Sequence, residues 1–328
     1  MDILVVAENK NGGIHRMSWE ALAAAQSLAK ELDLTTALLV MGYEVSGAVE
    51  TGVSKDVDEL LVLRHPLLAH YSADGFSEAL NQVIEQESPT YVFMGHTYMV
   101  RDFFPKVSGI LNIPFFADNV GYRVENHSPV FIKQVFQGKL LADVVPTGDG
   151  PLLITFQSAT FQADEVTEGS GAPVRDVSID LDESAIKTHS EEPFQEAAGQ
   201  VDLSSAELIV AVGRGIGKEE NLPLIKKLAD VLGAQLAASR PVVDAEWLPS
   251  FRQVGSSGQT VSPKLYLALG ISGAIQHLVG MKGSQNIVVI NKDPNAPFFE
   301  IADFGIVADI VEIVPKLTEA IQELKTSG

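Results

Sequence analysis

The chain contains no cysteine among its 328 residues. This absence excludes disulfide bonds, thiolate metal sites, cysteine-held iron–sulfur clusters and cysteine nucleophiles. Basic residues are also few, with 23 Lys and Arg against 43 Asp and Glu, which gives a formal net charge of −20. Because nucleic-acid binding requires clusters of Lys and Arg, this composition argues against it. We therefore predict a cytosolic protein that does not bind nucleic acid.

The sequence also has no long apolar run. No stretch approaches the ~20 residues that a transmembrane helix requires, so no membrane insertion is predicted. The N-terminal sequence MDILVVAENKNGG lacks the basic region and cleavage site of a signal peptide, and it is typical of a first strand. The seven histidines are scattered, without HxH or HExxH spacing, so no metal site is predicted.

The length of the chain favours two domains over one, and a 46% hydrophobic content supplies two cores. Strand-like and helix-like patterns alternate in the first part, which predicts a parallel α/β sheet. The predicted strands are residues 2–7, 35–41, 60–63 and 91–95, and the predicted helices are 19–32, capped by Ser18, and 75–86. Shorter alternating runs at 131–136, 140–145 and 152–156 predict a small antiparallel patch.

A stretch with few apolar residues and many charges, residues 182–200, has the composition of a linker. Beyond it the alternation resumes and predicts a second, doubly wound α/β domain. Its predicted strands are residues 207–212, 234–238, 265–269, 287–290 and 306–308, and its predicted helices are 219–232 and 314–324. The predicted domains are therefore 1–185 and 205–328, joined by a linker at 186–204.

The most informative segment is LYLALGISGAIQH, residues 265–277. A strand-like run breaks at Gly270, and a helix-compatible run begins after Ser272 and Gly273. This order presents free backbone N–H groups and a positive helix end to an anion. Similar glycine breaks lie upstream in GRGIG, residues 213–217, and VGSSG, residues 254–258. Together they predict a nucleotide site at the carboxyl ends of the strands of the second domain.

The sequence around these glycines does not match two known motifs, the GxGxxG fingerprint and the nucleophile elbow. A nicotinamide-type GxGxxG fingerprint starting at Gly213 requires glycine where Lys218 stands. A nucleophile elbow at Ser272 requires an acid and a histidine downstream, but the last histidine, His277, lies only five residues on in the same helix. A hydrolase is therefore not predicted.

The motifs of the last third resemble the α subunit of an electron-transfer flavoprotein. They are GRG at 213–215, ASRPVVDA at 238–245, QVG at 253–255, GISGAIQH at 270–277, NKDP at 291–294 and IVAD at 306–309. Residues 1–180 resemble the other domain of that family more loosely, through their βα alternation and through LNIPFFADNV at 111–120.

This resemblance implies a nucleotide-hydrolase-like N-terminal α/β domain that packs against a partner, and a Rossmann-like, doubly wound C-terminal domain that binds FAD. The implied protein is half of a heterodimer with an electron-transfer flavoprotein β subunit. It is a carrier rather than an enzyme, and it accepts electrons from flavin dehydrogenases and passes them singly to another acceptor. The location expected in a eukaryote is the mitochondrial matrix, although no transit peptide is visible.

The resemblance also implies twenty cofactor-binding residues. They are Gly213, Arg214, Ser239, Arg240, Gln253, Val254, Gly255, Ser256, Ser257, Gly270, Ser272, Gly273, Ala274, Ile275, Gln276, His277, Asn291, Asp293, Asp309 and Ile310. Three of these, Arg240, Ser257 and His277, are expected to tune the flavin, and no catalytic residue is predicted.

The implied roles around the flavin differ in their chemistry. Arg240 supplies a fixed positive charge beside the isoalloxazine, where the alternative is an ion pair with Asp244. Ser257 supplies a hydroxyl that donates to flavin N5, while Ser256 departs from the glutamine that the family usually carries. His277 stabilises negative charge at N1 and O2.

The remaining implied contacts concern the rest of FAD. Arg214 is expected at the diphosphate or ribose, and residues 272–277 are expected to wrap a phosphate with backbone N–H groups. Asn291 and Asp309 resemble the residues that hold the adenosine half. Two other classes stay open at this point, an NAD(P)-dependent dehydrogenase domain and a non-catalytic nucleotide-binding subunit.

Overall fold

The computed structural model describes residues 1–10, 12–136, 139–148, 150–188, 203 and 206–327. The chain divides into two compact units, Met1–Pro193 and Phe194–Gly328. Each unit is an α/β layer structure, which confirms the predicted fold class. Most of the predicted linker, residues 186–204, lies outside the described residues, so the linker and the two exact domain boundaries stay predictions.

The first unit is built on a nine-stranded sheet and a small two-stranded hairpin. The strands are β1 Ile3–Ala7, β2 Asn9–Lys10, β3 Gly13–Ile14, β4 Thr36–Gly42, β5 Glu59–Arg64, β6 Tyr91–Gly95, β7 Phe115–Glu125, β8 Ser128–Val135, β9 Leu140–Val144, β10 Leu152–Phe156 and β11 Val174–Asp176. The hairpin is formed by β2 and β3, and the order of the sheet is β11-β5-β4-β1-β6-β10-β7-β8-β9. Its helices are α1 Arg16–Leu32, α2 Ser46–Val53, α3 Ala73–Glu87 and α4 Tyr98–Leu111. Apolar side chains fill both faces of the sheet against these helices.

One prediction for this sheet is wrong. Strands β7, β8 and β9 do pair antiparallel, but β10 pairs parallel with both β6 and β7 instead of joining that patch. All five residues of β10 are buried. A short, continuously apolar strand of this kind is typical of the interior of a parallel sheet, where helices cover both faces.

The predicted N-cap of α1 is also wrong. The helix begins at Arg16, and the ring of His15 accepts a hydrogen bond from the Met17 N–H. Ser18 lies inside the first turn, where its hydroxyl accepts from the Glu8 N–H at 2.9 Å. The serine therefore holds the loop after β1 rather than the end of the helix.

The second unit contains a five-stranded sheet that is parallel throughout, in the order β13-β12-β14-β15-β16. Its strands are β12 Leu208–Val212, β13 Gln235–Ala238, β14 Leu265–Leu269, β15 Ile287–Asn291 and β16 Phe304–Val307. Its helices are α5 Leu222–Leu232, α6 Arg240–Val243, α7 Ile275–Leu278 and α8 Ile310–Ser327. Counted within the unit, the order is 2-1-3-4-5, so the direction of winding reverses between β12 and β14. In sheets of this type the ligand lies outside the carboxyl ends of the strands at that reversal.

Among the described residues, no helix is long and apolar enough to cross a membrane. Within the same part of the chain, His, Asp and Glu side chains form no group of three or more that is placed to hold a metal ion.

Candidate nucleotide site

The reversal point of the second unit brings two glycine loops into contact. Val212 pairs with Leu269, so β12 and β14 end at the same level. The Gly213 N–H donates to the Leu269 carbonyl at 2.8 Å, and a Cβ atom on Gly213 would lie 2.3 Å from the Gly270 oxygen. A side chain at Gly213 would therefore force the loops apart. This close approach explains why both loops carry glycine directly after their strands.

A cavity of about 590 Å³ opens above these loops, within the ~300–1,000 Å³ range of small-molecule sites. Fifteen of the twenty predicted residues line it. They are Arg214, Ser239, Arg240, Gln253, Val254, Gly255, Ser256, Ser257, Gly270, Ser272, Ala274, Gln276, His277, Asn291 and Asp293. The structure therefore brings motifs that are spread over 80 residues of sequence to one surface.

Five predicted residues do not line the cavity: Gly213, Gly273, Ile275, Asp309 and Ile310. Ile275 is 68% exposed, and Gly273 has φ +89° in a turn packed on Phe298. Asp309 precedes α8, where its carboxylate accepts from the Val311 N–H at 2.9 Å. Ile310 is buried in the apolar core under the sheet. Direct contact of these five residues with a cofactor stays a prediction.

Six lining residues were absent from the predicted site: Gly215, Pro241, Asp244, Ile271, Ala296 and Pro297. Four of the six lie inside quoted motifs, so the motifs themselves carried the signal: Gly215, Pro241, Asp244 and Ile271. Ala296 and Pro297 follow the β15 loop, and the turn-forming sequence around Pro294 was the available clue.

The loop after β14 offers a row of unused donors. Within the described part of the chain, the backbone N–H groups of residues 272–276 form no hydrogen bond. The Ser272 carbonyl accepts from the Phe298 N–H at 3.2 Å, which ties the loop to the segment after β15. The expected helix is only the single turn of α7, so a bound anion would depend on these consecutive N–H groups more than on a helix dipole.

Asn291, at the end of β15, fixes this loop. It is 7% exposed, its amide donates to the Ile271 carbonyl at 3.0 Å, and its side-chain oxygen accepts from the Asp293 N–H at 3.1 Å. The asparagine thus bridges the loops after β14 and β15. In this structure it positions the row of free N–H groups.

Two arginines give the cavity positive charge, and both are exposed. Arg240, 69% exposed at its side chain, lies with Nε 3.5 Å from a carboxylate oxygen of Asp244. The alternative weighed for Arg240, an ion pair with Asp244, is therefore present. Because both side chains are largely exposed, the pair is worth ~1 kcal/mol or less and leaves the guanidinium free to reorient.

Ser257 is held by Gln253, whose side-chain amide donates to the serine hydroxyl at 2.9 Å. The hydroxyl therefore accepts one hydrogen bond and keeps its own proton for another partner. The neighbouring Ser256 N–H donates to the Gln276 carbonyl at 2.7 Å, which joins this loop to α7.

His277 is 6% exposed, and its Nε2 lies 2.9 Å from the hydroxyl oxygen of Tyr266. Burial lowers the pKa of His277 to about 4, although the backbone of Val254 favours the protonated ring. The ring is therefore neutral at pH 7. The ring bonds Tyr266 through Nε2 and not Ser272.

The reversal point, the glycine loops and the row of free N–H groups define an α/β nucleotide-binding protein with two units. The comparisons with known proteins specify the class. Residues 202–282 match the model of the electron transfer flavoprotein FAD-binding domain, and residues 3–182 match the electron transfer flavoprotein domain. The chain belongs to the electron transfer flavoprotein α-subunit family, and its second unit carries the FAD-binding domain.

Full-length relatives agree with the family models. The chain is 37% identical to the electron transfer flavoprotein subunit alpha of Bacillus subtilis, with 98% of each chain covered. It is 36% identical to that of Thermoanaerobacterium thermosaccharolyticum, covering 99% of this chain and 98% of the relative. The mitochondrial subunit of Oryza sativa subsp. japonica is 33% identical over 98% of this chain and 91% of the relative. Neither the dehydrogenase nor the non-catalytic alternative is favoured by these matches.

Proposed function

We propose that this chain is the FAD-carrying half of a heterodimer with an electron-transfer flavoprotein β subunit. In this proposal it accepts electrons from flavin dehydrogenases and passes them singly to another acceptor, and it catalyses no reaction on a substrate of its own. The observation that carries the proposal is the run of free backbone N–H groups at residues 272–276 beside Arg214 and Arg240. Consecutive free N–H groups and guanidinium groups favour an anionic ligand such as a diphosphate.

The cavity suits FAD in three ways. The free N–H groups of the lining residues Ser272, Ala274 and Gln276, together with the guanidinium of Arg214, offer donors to a diphosphate. The glycines of the two loops allow a ligand to approach the backbone closely. Other lining residues, which include Ser257 and His277, offer polar groups for a ring system.

When bound, the isoalloxazine supplies the redox chemistry, and the protein supplies binding, orientation and electrostatics. Ser257 holds a hydroxyl proton that is not used by Gln253, and Arg240 holds a positive charge that favours an anionic flavin. The short Ser256 side chain leaves more room than the glutamine that the family usually carries.

The partner is inferred from the relatives. They are named as subunits, and one from Anaerotignum propionicum, 31% identical, is named acryloyl-CoA reductase electron transfer subunit beta. That name supports a role in electron transfer as one subunit of an assembly. The donor that serves this chain is proposed only as a flavin dehydrogenase, and a cytosolic location stays a prediction.

Co-expression with a β subunit followed by absorbance spectroscopy tests the proposal. We expect flavin bands in the near-ultraviolet and blue, and FAD on analysis of the cofactor released by denaturation. A matched preparation carrying Arg214→Glu should contain less FAD because a carboxylate replaces a phosphate-binding cation. Purified heterodimer that binds NAD(P) instead, or that binds no nucleotide when FAD is supplied, would exclude the proposed role.

A further inference from the structure

His277 lines the cavity, and its hydrogen-bond partner Tyr266 is not among the lining residues. Tyr266, on β14, is 0% exposed, and His277 follows eleven residues later in α7. The two rings meet edge to face at 6.1 Å between centroids, and Phe298 packs edge-on against the histidine at 5.9 Å. These contacts hold the imidazole in one orientation, with Nε2 toward the tyrosine hydroxyl.

The direction of that hydrogen bond follows from the tyrosine. Burial raises the pKa of Tyr266 well above its usual range, so its hydroxyl keeps the proton. Among the described residues the hydroxyl has one hydrogen-bond partner, Nε2 of His277. If Nε2 carried a proton of its own, the tyrosine proton would be buried without an acceptor, at a cost of ~1–3 kcal/mol.

The surroundings of the other ring nitrogen, Nδ1, agree with donation of the tyrosine proton to Nε2. Nδ1 of His277 is buried and has no hydrogen-bond partner among the described residues. The Val254 N–H donates to the Ala238 carbonyl, so the backbone group that Val254 still offers is a carbonyl acceptor. An acceptor beside the ring favours a proton on Nδ1 over a lone pair there.

We propose that Tyr266 is a positioning residue, which holds His277 in the neutral tautomer with its proton on Nδ1. The ring then lies in the cavity wall as a neutral group in a fixed orientation, with Nε2 toward Tyr266 and the buried Nδ1 toward the backbone of Val254. The part of this inference that concerns the cofactor rests on the proposed function. The assignment of the tautomer does not depend on the proposed function.

Nitrogen-15 NMR of imidazole-labelled protein without FAD tests the tautomer directly. At pH 7.5, the wild-type His277 ring should show a protonated Nδ1 and an unprotonated Nε2. Tyr266→Phe keeps the ring and removes the hydroxyl, so the proton should redistribute toward Nε2. Phe298→Leu is the packing control, since it removes a ring contact and leaves the hydroxyl, and its tautomer should match the wild type.

FAD affinity of the heterodimer is the second measurement. Tyr266→Phe should weaken FAD binding several-fold at pH 7.5, while Phe298→Leu should change it less. A protonated Nε2 in the wild type, or an unchanged nitrogen pattern in Tyr266→Phe, would overturn the proposal whether or not FAD binds. A redistributed tautomer with no FAD binding in any variant would leave the tautomer established and contradict the proposed function instead.

Discussion

The two units share a layered α/β architecture but differ at the carboxyl ends of their strands. In the first unit, polar groups there bind one another: the Thr97 hydroxyl donates to Glu8 at 2.6 Å, and His96 lies 2.8 Å from the Thr155 hydroxyl. A cavity of about 420 Å³ in that unit is lined by Glu44 and by no Lys or Arg among the described residues. The second unit leaves five backbone N–H groups free beside two arginines. The two units thus share an architecture but differ in these polar groups, which are hydrogen-bonded side chains in the first unit and free backbone N–H groups beside arginines in the second.

The two units also differ in the direction in which burial shifts the pKa of a buried ionisable side chain. Glu20 of α1 is 2% exposed, and burial raises its pKa to about 7, although the Ala159 N–H and Arg16 both favour the carboxylate. His277 shows the reverse, because burial lowers its pKa to about 4. Alkaline conditions should therefore weaken the first unit, and acidic conditions the second.

Each unit contains one of the two tryptophans, Trp19 in the first and Trp247 in the second. Single-tryptophan variants therefore report the unfolding of each unit separately. The predictions below use urea unfolding of flavin-free protein in these two backgrounds unless stated otherwise.

The largest effect is expected at Gly273. A Cβ atom there would lie 2.3 Å from the Phe298 nitrogen, so Gly273→Ala should lower the free energy of unfolding of the second unit by more than ~3 kcal/mol. Gly233 is the control, since it also has positive φ but open space around it, and Gly233→Ala should cost ~1 kcal/mol. Equal costs at the two positions, or a shift of the Trp19 transition, would contradict the packing described for this loop.

Glu20→Gln should stabilise the first unit at high pH. A pKa raised from 4.5 to about 7 means that the folded state binds the proton more tightly. Stability is therefore fully present below pH 4.5 and falls as pH rises to 7, by ~3 kcal/mol. The variant should gain that amount at pH 8 and almost nothing at pH 4.

Trp19 fluorescence measures this gain, with the exposed Glu50→Gln as the control. A gain that is the same at pH 4 and pH 8 would show that Glu20 ionises as an ordinary surface carboxylate.

His277→Gln should remove an acid sensitivity of the second unit. The pKa is lowered from 6.5 to about 4, so the unfolded state binds the proton more tightly and stability is lost as pH falls through that range. Between pH 8 and pH 5 the wild type should lose ~2 kcal/mol from this group, and the variant should not. Trp247 fluorescence checks this, and parallel pH profiles for the two proteins would contradict it.

The smallest effect is expected at Arg240, where solvent weakens electrostatics. An exposed charge worth ~1 kcal/mol corresponds to a potential change of about 40 mV for a one-electron couple. Arg240→Ala should lower the potential of FAD in the heterodimer by that order, and Arg240→Lys should lower it less. Spectroelectrochemistry measures both, and an unchanged potential in the alanine variant with FAD still bound would place Arg240 outside the flavin environment.

The strands and the loops of the site were predictable because their signals are local. Short apolar runs marked the parallel strands, and glycines after β12 and β14 marked the loops that approach each other. The parallel pairing of β10 was not predictable in this way, since a strand's partners are set by tertiary contacts. Helices α2 and α4 were both missed, and Pro105 inside α4 weakens its helical pattern.

The same distinction holds within the site. Motifs identified fifteen residues that line the cavity, whereas Pro297 enters it only because the loop after β15 folds back onto Ser272. The hydrogen bond between Tyr266 and His277 joins a strand to a later turn, and the spacing of the two residues carries no signal for it.

The central claim is that the second unit, and not the first, holds FAD. Quantifying FAD in the co-expressed heterodimer for two matched charge reversals tests it most directly. Arg214→Glu alters the cavity of the second unit, and Arg64→Glu alters an exposed arginine of the first unit that lies 3.8 Å from Asp176. The account predicts that Arg214→Glu loses most of the bound FAD while Arg64→Glu retains it. Full retention in Arg214→Glu, or equal loss in both variants, would contradict the account.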